Sequence, residues 1–207
     1  MAVSAEDVIK ETEGMEAPEF LRYLIIDKFP GKTVVTTSLR ARGMVTLRMV
    51  ADIDPATPVV FCHMKNMYPG SMEYKAEMIG KLGLKDVRSP LDDLDALPGD
   101  NFHCENLWGE DVNDGTRHYT TVPLNETLKP FDCWISVVCH NPYSYEPRPR
   151  VLQEGRLLRV HPLVGWQEEK VRAYLKERDL PFHPMAMNAS YQRVDAEPPA
   201  ASESYNY

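Results

Sequence analysis

An α/β fold, one domain on a mostly parallel sheet of about five strands flanked by helices, follows from three observations on this chain. Short apolar, β-branched runs, "TVVTTS", "PVVFCH" and "DCWISVVCH", alternate with longer segments of helical period. The runs are largely continuous rather than alternating, the pattern of strands covered on both faces. A length of 207 residues, 43% hydrophobic and 26% charged, suffices for one ordinary core and falls short of two.

The elements follow in order. Residues 17–29, "APEFLRYLIIDKF", set Phe20, Leu21, Leu24 and Ile25 at helical spacing, and Pro30-Gly31 ends that helix. A strand over 33–39 leads into a helix over 41–53, where Met44, Val45, Leu47, Met49 and Val50 leave only a narrow polar face. After the turn "DIDPATP" comes a short strand over 58–63. Residues 70–82 form a helix with Ser71 as its N-cap, and "LKDVRS" supplies a third strand. From 89 to 122 prolines, glycines and aspartates read as loop. A short helix around "LNETLKPF" precedes a strand over 132–140, and "NPYSYEPRPR" is an irregular loop. "LLRVHPL" is the last strand, and "GWQEEKVRAYLKERD" a helix with Val171, Tyr174 and Leu175 on one face. The domain occupies residues 1–193, and 194–207 form a loose polar tail.

Charge and composition narrow the partners. A formal net charge of −8 lacks the basic footprint of a nucleic-acid binder, yet leaves room for a small anion on local arginines. No run of about eighteen apolar residues is present, so no membrane-spanning helix is expected. The acidic opening "MAVSAEDVIKETEGME" lacks a basic-then-apolar leader pattern, which points to a cytoplasmic protein. The four cysteines, Cys62, Cys104, Cys133 and Cys139, show no Cys-x-x-Cys spacing, and free thiols are the expectation. The acidic "DDLDAL" has no metal-ligand spacing and reads as a solvated face.

In such sheets ligands collect outside the carboxyl ends of the strands. Three strand ends therefore matter: Thr36-Thr37-Ser38 onward, Cys62-His63 and Cys139-His140. The first runs into a helix whose N-terminal N–H groups and partial positive charge suit an anion, with Arg40 and Arg42 as bidentate partners. The competing reading is that a side chain at position 40, where glycine would allow close backbone approach, closes the cradle. Cys62, His63 and Cys139 are candidates for a thiolate activated by an imidazole. Two cysteines and two histidines also satisfy the donor count of a zinc site. Buried cysteine at a strand end is more often a small apolar filler, so packing is favoured and no metal is expected. Arg148 and Arg150, in "EPRPR", are candidate clamps on an anion, against the alternative of a solvated loop.

An ordered series of blocks resembles the sulfonucleotide reductases, the phosphoadenylyl-sulfate reductases and their adenine-nucleotide α-hydrolase-like relatives. It runs from "GKTVVTTSLRARGMVTLRMVADIDPATPVVF" through "MYP", "KLGLKDVR" and "VPLNETLKPFDCWIS" to "LLRVHPLVGWQEEKVRAYLKERDLPFHP", about residues 20 to 185. The last block, with Pro162-Leu163, Trp166, Val171, Tyr174-Leu175 and Leu180 to Pro184, is the most specific. The resemblance implies a Rossmann-like domain with the first strand between the second and fourth. It also implies an adenine nucleotide at the strand ends, and thiol-dependent reduction of an adenylyl sulfate to sulfite. The functional positions depart from the family pattern. Thr36, Thr37, Ser38 and Leu39 match the phosphate loop "SSSFG" in type, while Arg40 stands at its glycine. His63-Met64-Lys65 stands where the family has Asp-Thr-Gly, and brings Lys65 in as a candidate anion contact. Val137 to His140 replace "GLRR", and the family's "ECGLH" thiol has no counterpart, since no cysteine follows Cys139. His118-Tyr119 stands nearest the place of the Cys-Cys pair that iron–sulfur variants carry, so no iron–sulfur cluster is implied. The expectation is a divergent relative that binds an adenine nucleotide or small anion. The alternative is a non-catalytic interaction or structural subunit, with a protein partner or a second copy of itself.

Overall fold

The computed structural model describes residues 3–37, 39–62, 69–88, 124, 127–137 and 149–183. Among the described residues six strands form one sheet in the order β3-β2-β1-β4-β6-β5. They are β1 (Thr33–Thr37), β2 (Val59–Phe61), β3 (Val87–Arg88), β4 (Cys133–Ser136), β5 (Val151–Glu154) and β6 (Leu157–Val160). Every pairing is parallel except β5 with β6. The first strand therefore lies between the second and the fourth, as the resemblance implies.

The sixth strand, β5, falls between the expected loop over 141–150 and the expected strand from Leu157, where the sequence reading places no element. "VLQEGRLLRV" makes a hairpin in which Glu154 pairs with Leu157 across Gly155-Arg156. Gly155 has φ +57°, which suits a glycine at the first central position of a two-residue hairpin turn. The strands also end sooner than their apolar runs, β1 at Thr37, β2 at Phe61 and β4 at Ser136.

The helices among the described residues include α1 (Ala5–Glu11), α2 (Ala17–Arg22), α3 (Ala41–Ile53), α4 (Ser71–Leu82) and α5 (Glu168–Glu177). Sequence periodicity missed α1, whose N-cap Ser4 accepts from the Asp7 amide, a short-range signal rather than a periodic one. The helix predicted over 17–29 is α2 continued by a π-helical turn, Tyr23–Lys28. Ser71 is not the N-cap of α4. Gly70 takes that place at φ 78°, and Ser71 enters the first turn with its hydroxyl engaged elsewhere.

Period-two alternation divides the core into two layers. Val35, Val59, Phe61, Ile135, Leu158 and Val160 point into the larger cluster, with Phe20, Leu24, Met44, Leu47, Met78 and Leu175 from the helices. Val34, Val60, Cys62, Trp134 and Leu157 point to the other face, against Leu124, Leu128 and Phe131. The tail 194–207 and the loop over 89–122 lie outside the described residues.

Candidate functional site

At the carboxyl edge of the sheet the chain leaves β1 and turns into α3. Thr37 and Phe61, the last residues of β1 and β2, are paired in register. The Cys62 amide then donates to the Thr37 carbonyl at 2.8 Å. Arg40 is the N-cap of α3, with extended backbone at φ −90°, ψ 161° and no side-chain cap bond. The first-turn N–H groups of a helix have no partner within it, so α3 opens a donor-rich end beside the strand termini.

Arg42 folds back, and its Nη2 donates to the Trp166 carbonyl at 2.8 Å. Its Nη1 is buried and makes no hydrogen bond among the described residues. Trp166 meets Tyr174 edge-on at 5.9 Å, so Arg42 ties the start of α3 to the turn ahead of α5. Arg40 is half-buried, and its charge reaches His183. Burial first, and the Arg40 charge second, push the pKa of the His183 imidazole below its ordinary value.

His183 is 4% exposed and shares a hydrogen bond of 2.8 Å between Nε2 and Ser71 Oγ. Tyr74, one turn along α4, packs edge-on against the ring at 5.1 Å and donates its hydroxyl to the Pro181 carbonyl at 2.8 Å. These contacts clasp residues 181–183 to the first turn of α4. Lys75, on the same helix, lies with Nζ 4.9 Å from the Phe61 ring centroid. Desolvation lowers its pKa. Sequence reasoning missed Lys75 and Ser71. The available signal was their spacing, because positions 71, 74, 75 and 78 share one face of a helix.

Among the candidate anion contacts, Thr36 and Thr37 are fully buried. Thr36 Oγ1 accepts the Trp134 indole N–H at 2.7 Å, so β1 is held to β4 by a side-chain bond as well as the ladder. Next to it, the Arg159 guanidinium lies 4.0 Å from the Trp134 ring centroid. It donates to Ser136 Oγ and pairs with Glu154, each at 3.0 Å. The Arg150 guanidinium donates to the Met15 carbonyl at 2.7 Å and lies 4.0 Å from the Phe20 ring centroid. Ser38, Lys65 and Arg148 lie outside the described residues.

Of the Cys-His candidates, Cys62 is 3% exposed within the smaller core cluster, while His63 and Cys139 lie outside the described residues. Cys133, on β4, is fully buried, and burial raises its thiol pKa to about 12. No grouping of three or more His, Cys, Asp or Glu side chains suited to a metal occurs among the described residues. Nor is any described helix long and apolar enough to cross a membrane.

Comparison with known proteins accords with this geometry. The family model described as the phosphoadenosine phosphosulfate reductase domain matches residues 32–198. The phosphoadenosine 5'-phosphosulfate reductase of Alkalilimnicola ehrlichii is 26% identical over 188 residues, covering 87% of this chain and 75% of that protein. That of a Synechococcus species is 25% identical over 165 residues, covering 76% and 70%. Among solved structures, the phosphoadenylyl-sulfate reductase of Candida auris, a phosphate complex, superposes with a TM-score of 0.65 at 15% identity, covering 90% of this chain and 93% of that one. The U34-tRNA thiolase NcsA of Methanococcus maripaludis reaches 0.50 at 13% identity, covering 86% and 67%. With the model spanning the sheet from β1 onward, and the strand order that the resemblance implies, the chain belongs to the phosphoadenosine phosphosulfate reductase family.

Proposed function

We propose that this chain holds an adenine nucleotide, an adenylyl sulfate or another small anion at the carboxyl ends of β1, β2 and β4. The observation that carries the reading is the opening of α3 directly off buried β1 with Arg40 at its N-cap. Beside it stand the Ser71–His183 pair and Lys75. A helix N-terminus attracts negative charge through unsatisfied N–H groups and the macrodipole. Arg40 adds a guanidinium able to grip two oxygens. Position 40 lacks the backbone freedom of glycine, so the reading assigns its grip to the side chain rather than to a tight backbone nest. The relatives' names point to an adenylyl sulfate ligand, and the Candida auris reductase was solved with phosphate.

Reduction is a separate matter. It requires a thiolate to attack the sulfonate sulfur and expel the nucleotide, then a second thiol to release sulfite as a disulfide forms. Cys133 is a poor thiolate source at a pKa of about 12, and Cys62 is buried. In this reading any reductase step draws its thiol from Cys139, Cys104 or a partner protein. The burial of both described cysteines favours a second reading, a nucleotide-binding subunit that leaves the chemistry to a partner.

Thermal unfolding with and without adenosine 3',5'-bisphosphate tests the binding claim. At one hundred times the dissociation constant a ligand of the native state adds about 2.7 kcal/mol, which raises the midpoint by roughly 5–10 °C in a chain of this size. An unchanged midpoint at millimolar ligand contradicts it.

A further inference from the structure

On the sheet face that bears the smaller core cluster, the carboxyl ends of β1 and β4 carry polar side chains where apolar ones would pack. Thr36 on β1 pairs in register with Ser136 on β4, and Val34 pairs with Trp134. The Trp134 indole reaches along β1 past its own partner, and its N–H donates to Thr36 Oγ1 at 2.7 Å. Arg159 on β6 pairs with Trp134, its guanidinium 4.0 Å from the ring centroid and donating to Ser136 Oγ. All four side chains are fully buried. Two residues earlier on β1 and β6 the same face is apolar, with Val34 and Leu157. Backbone ladders already join β1 to both neighbours. Valine at 36 and phenylalanine at 134 would keep the layer apolar, with no buried polar group to satisfy. What the indole bond adds is direction, since a buried and satisfied polar contact fixes one arrangement of the groups it joins. Thr36 is the last residue but one of β1, and from there the chain runs to Arg40 and α3.

We infer that Trp134 is a positioning residue of the anion site: braced by Arg159, its indole N–H sets where the end of β1 stands, and with it the path to Arg40 and the opening of α3. The inference rests on the anion-site reading and adds to it a residue that aims the site without touching the ligand. Without the bond the end of β1 divides its time among several placements, and only a fraction of them presents Arg40 and the α3 N–H groups together. Apparent affinity falls by that fraction, and a hydrogen bond of ordinary strength shifts such a population about fivefold. Thr36 serves the site through Trp134, by accepting its N–H.

The test compares wild type, W134F, T36V, T36S and the double variant T36V/W134F by calorimetric titration with adenosine 3',5'-bisphosphate and by thermal unfolding without ligand. W134F and T36V remove the bond from either side, and each should lose about fivefold or more in affinity. T36S keeps the acceptor and should retain wild-type affinity, although its midpoint falls with the lost methyl. The double variant should regain stability over T36V, since no indole N–H is left unpaired, yet bind no better than either single variant. Wild-type affinity in W134F, whatever its midpoint, overturns the role of Trp134 and leaves the site reading standing. A loss in T36V alone assigns Thr36 to the ligand and overturns that role too. Affinities that follow the midpoints across the set, with T36S among the weak binders, reduce the layer to packing and overturn it as well. Absence of bisphosphate binding by wild type overturns the site reading and this inference together.

Discussion

Arg40 caps α3 and Arg42 lies in its first turn, and periodicity alone could not say what each side chain meets. Both were legible as cations near a strand end. That Arg42 is spent on the Trp166 carbonyl depends on a turn more than a hundred residues away. Thr36 shows the same limit: its position matched a phosphate loop, while its hydroxyl is engaged by Trp134. Cys62 and Cys133 are both buried, and both are tested at this scale. With a thiol pKa of about 12 at Cys133 and Cys62 3% exposed, neither should react with iodoacetamide at pH 7.5 until the protein unfolds. Mass spectrometry finding fast native labelling at either contradicts this. His183 gives a second residue-level expectation. Burial and the Arg40 charge hold its folded pKa below the ordinary 6.5, so the unfolded chain takes up the proton first as pH falls. Its contribution to stability is complete above about pH 6.5 and is lost as pH drops from there toward the depressed folded value. Urea midpoints between pH 7.5 and 5 should therefore fall more steeply for wild type than for H183N. Parallel slopes would remove His183 from the pH response.

At the scale of elements, long periodic segments were readable and short locally coded ones were not. α3 and α4 carry enough turns for a stripe of buried side chains to stand out, as Met44, Leu47 and Val50 do in α3. α1 has seven residues with Val8 alone buried, and β5 has four with one buried, too few for a period to register. Their signals were chemical instead: Ser4 capping α1, and Gly155 turning the hairpin. That hairpin is fastened to β4 by a buried polar chain, Glu154 to Arg159 to Ser136, with the Arg159 side chain fully buried and that of Glu154 14% exposed. Removing one partner of such a pair leaves the other charge stranded. R159M should cost about 3–5 kcal/mol in unfolding free energy, and R159M/E154Q should regain much of it. Denaturant unfolding measures both. A single variant within 1 kcal/mol of wild type would show that the pair does not hold the hairpin edge.

The proposed site sets cationic side chains into an acidic chain. The net charge is −8, yet Arg40 and Lys75 stand beside the ends of β1 and β2, with the His183 imidazole held toward its neutral form. Strand order made this arrangement readable in outline. The resemblance implied β1 between β2 and β4, and parallel pairing brings all three carboxyl ends to one edge. What stayed hidden was which helix faces that edge, since α4 joins the site through contacts to residues 181–183 that only the fold creates. Family membership accounts for the scaffold, and the proposed reading assigns ligand binding to the side chains on its edge. Isothermal titration of wild type and R40A with adenosine 3',5'-bisphosphate is the most direct test of that division. The expected result is one saturable site in wild type, weakened about tenfold or more in R40A by loss of a charge-assisted contact. Absence of binding heat in wild type, together with an unfolding midpoint that the ligand does not move, would contradict the account.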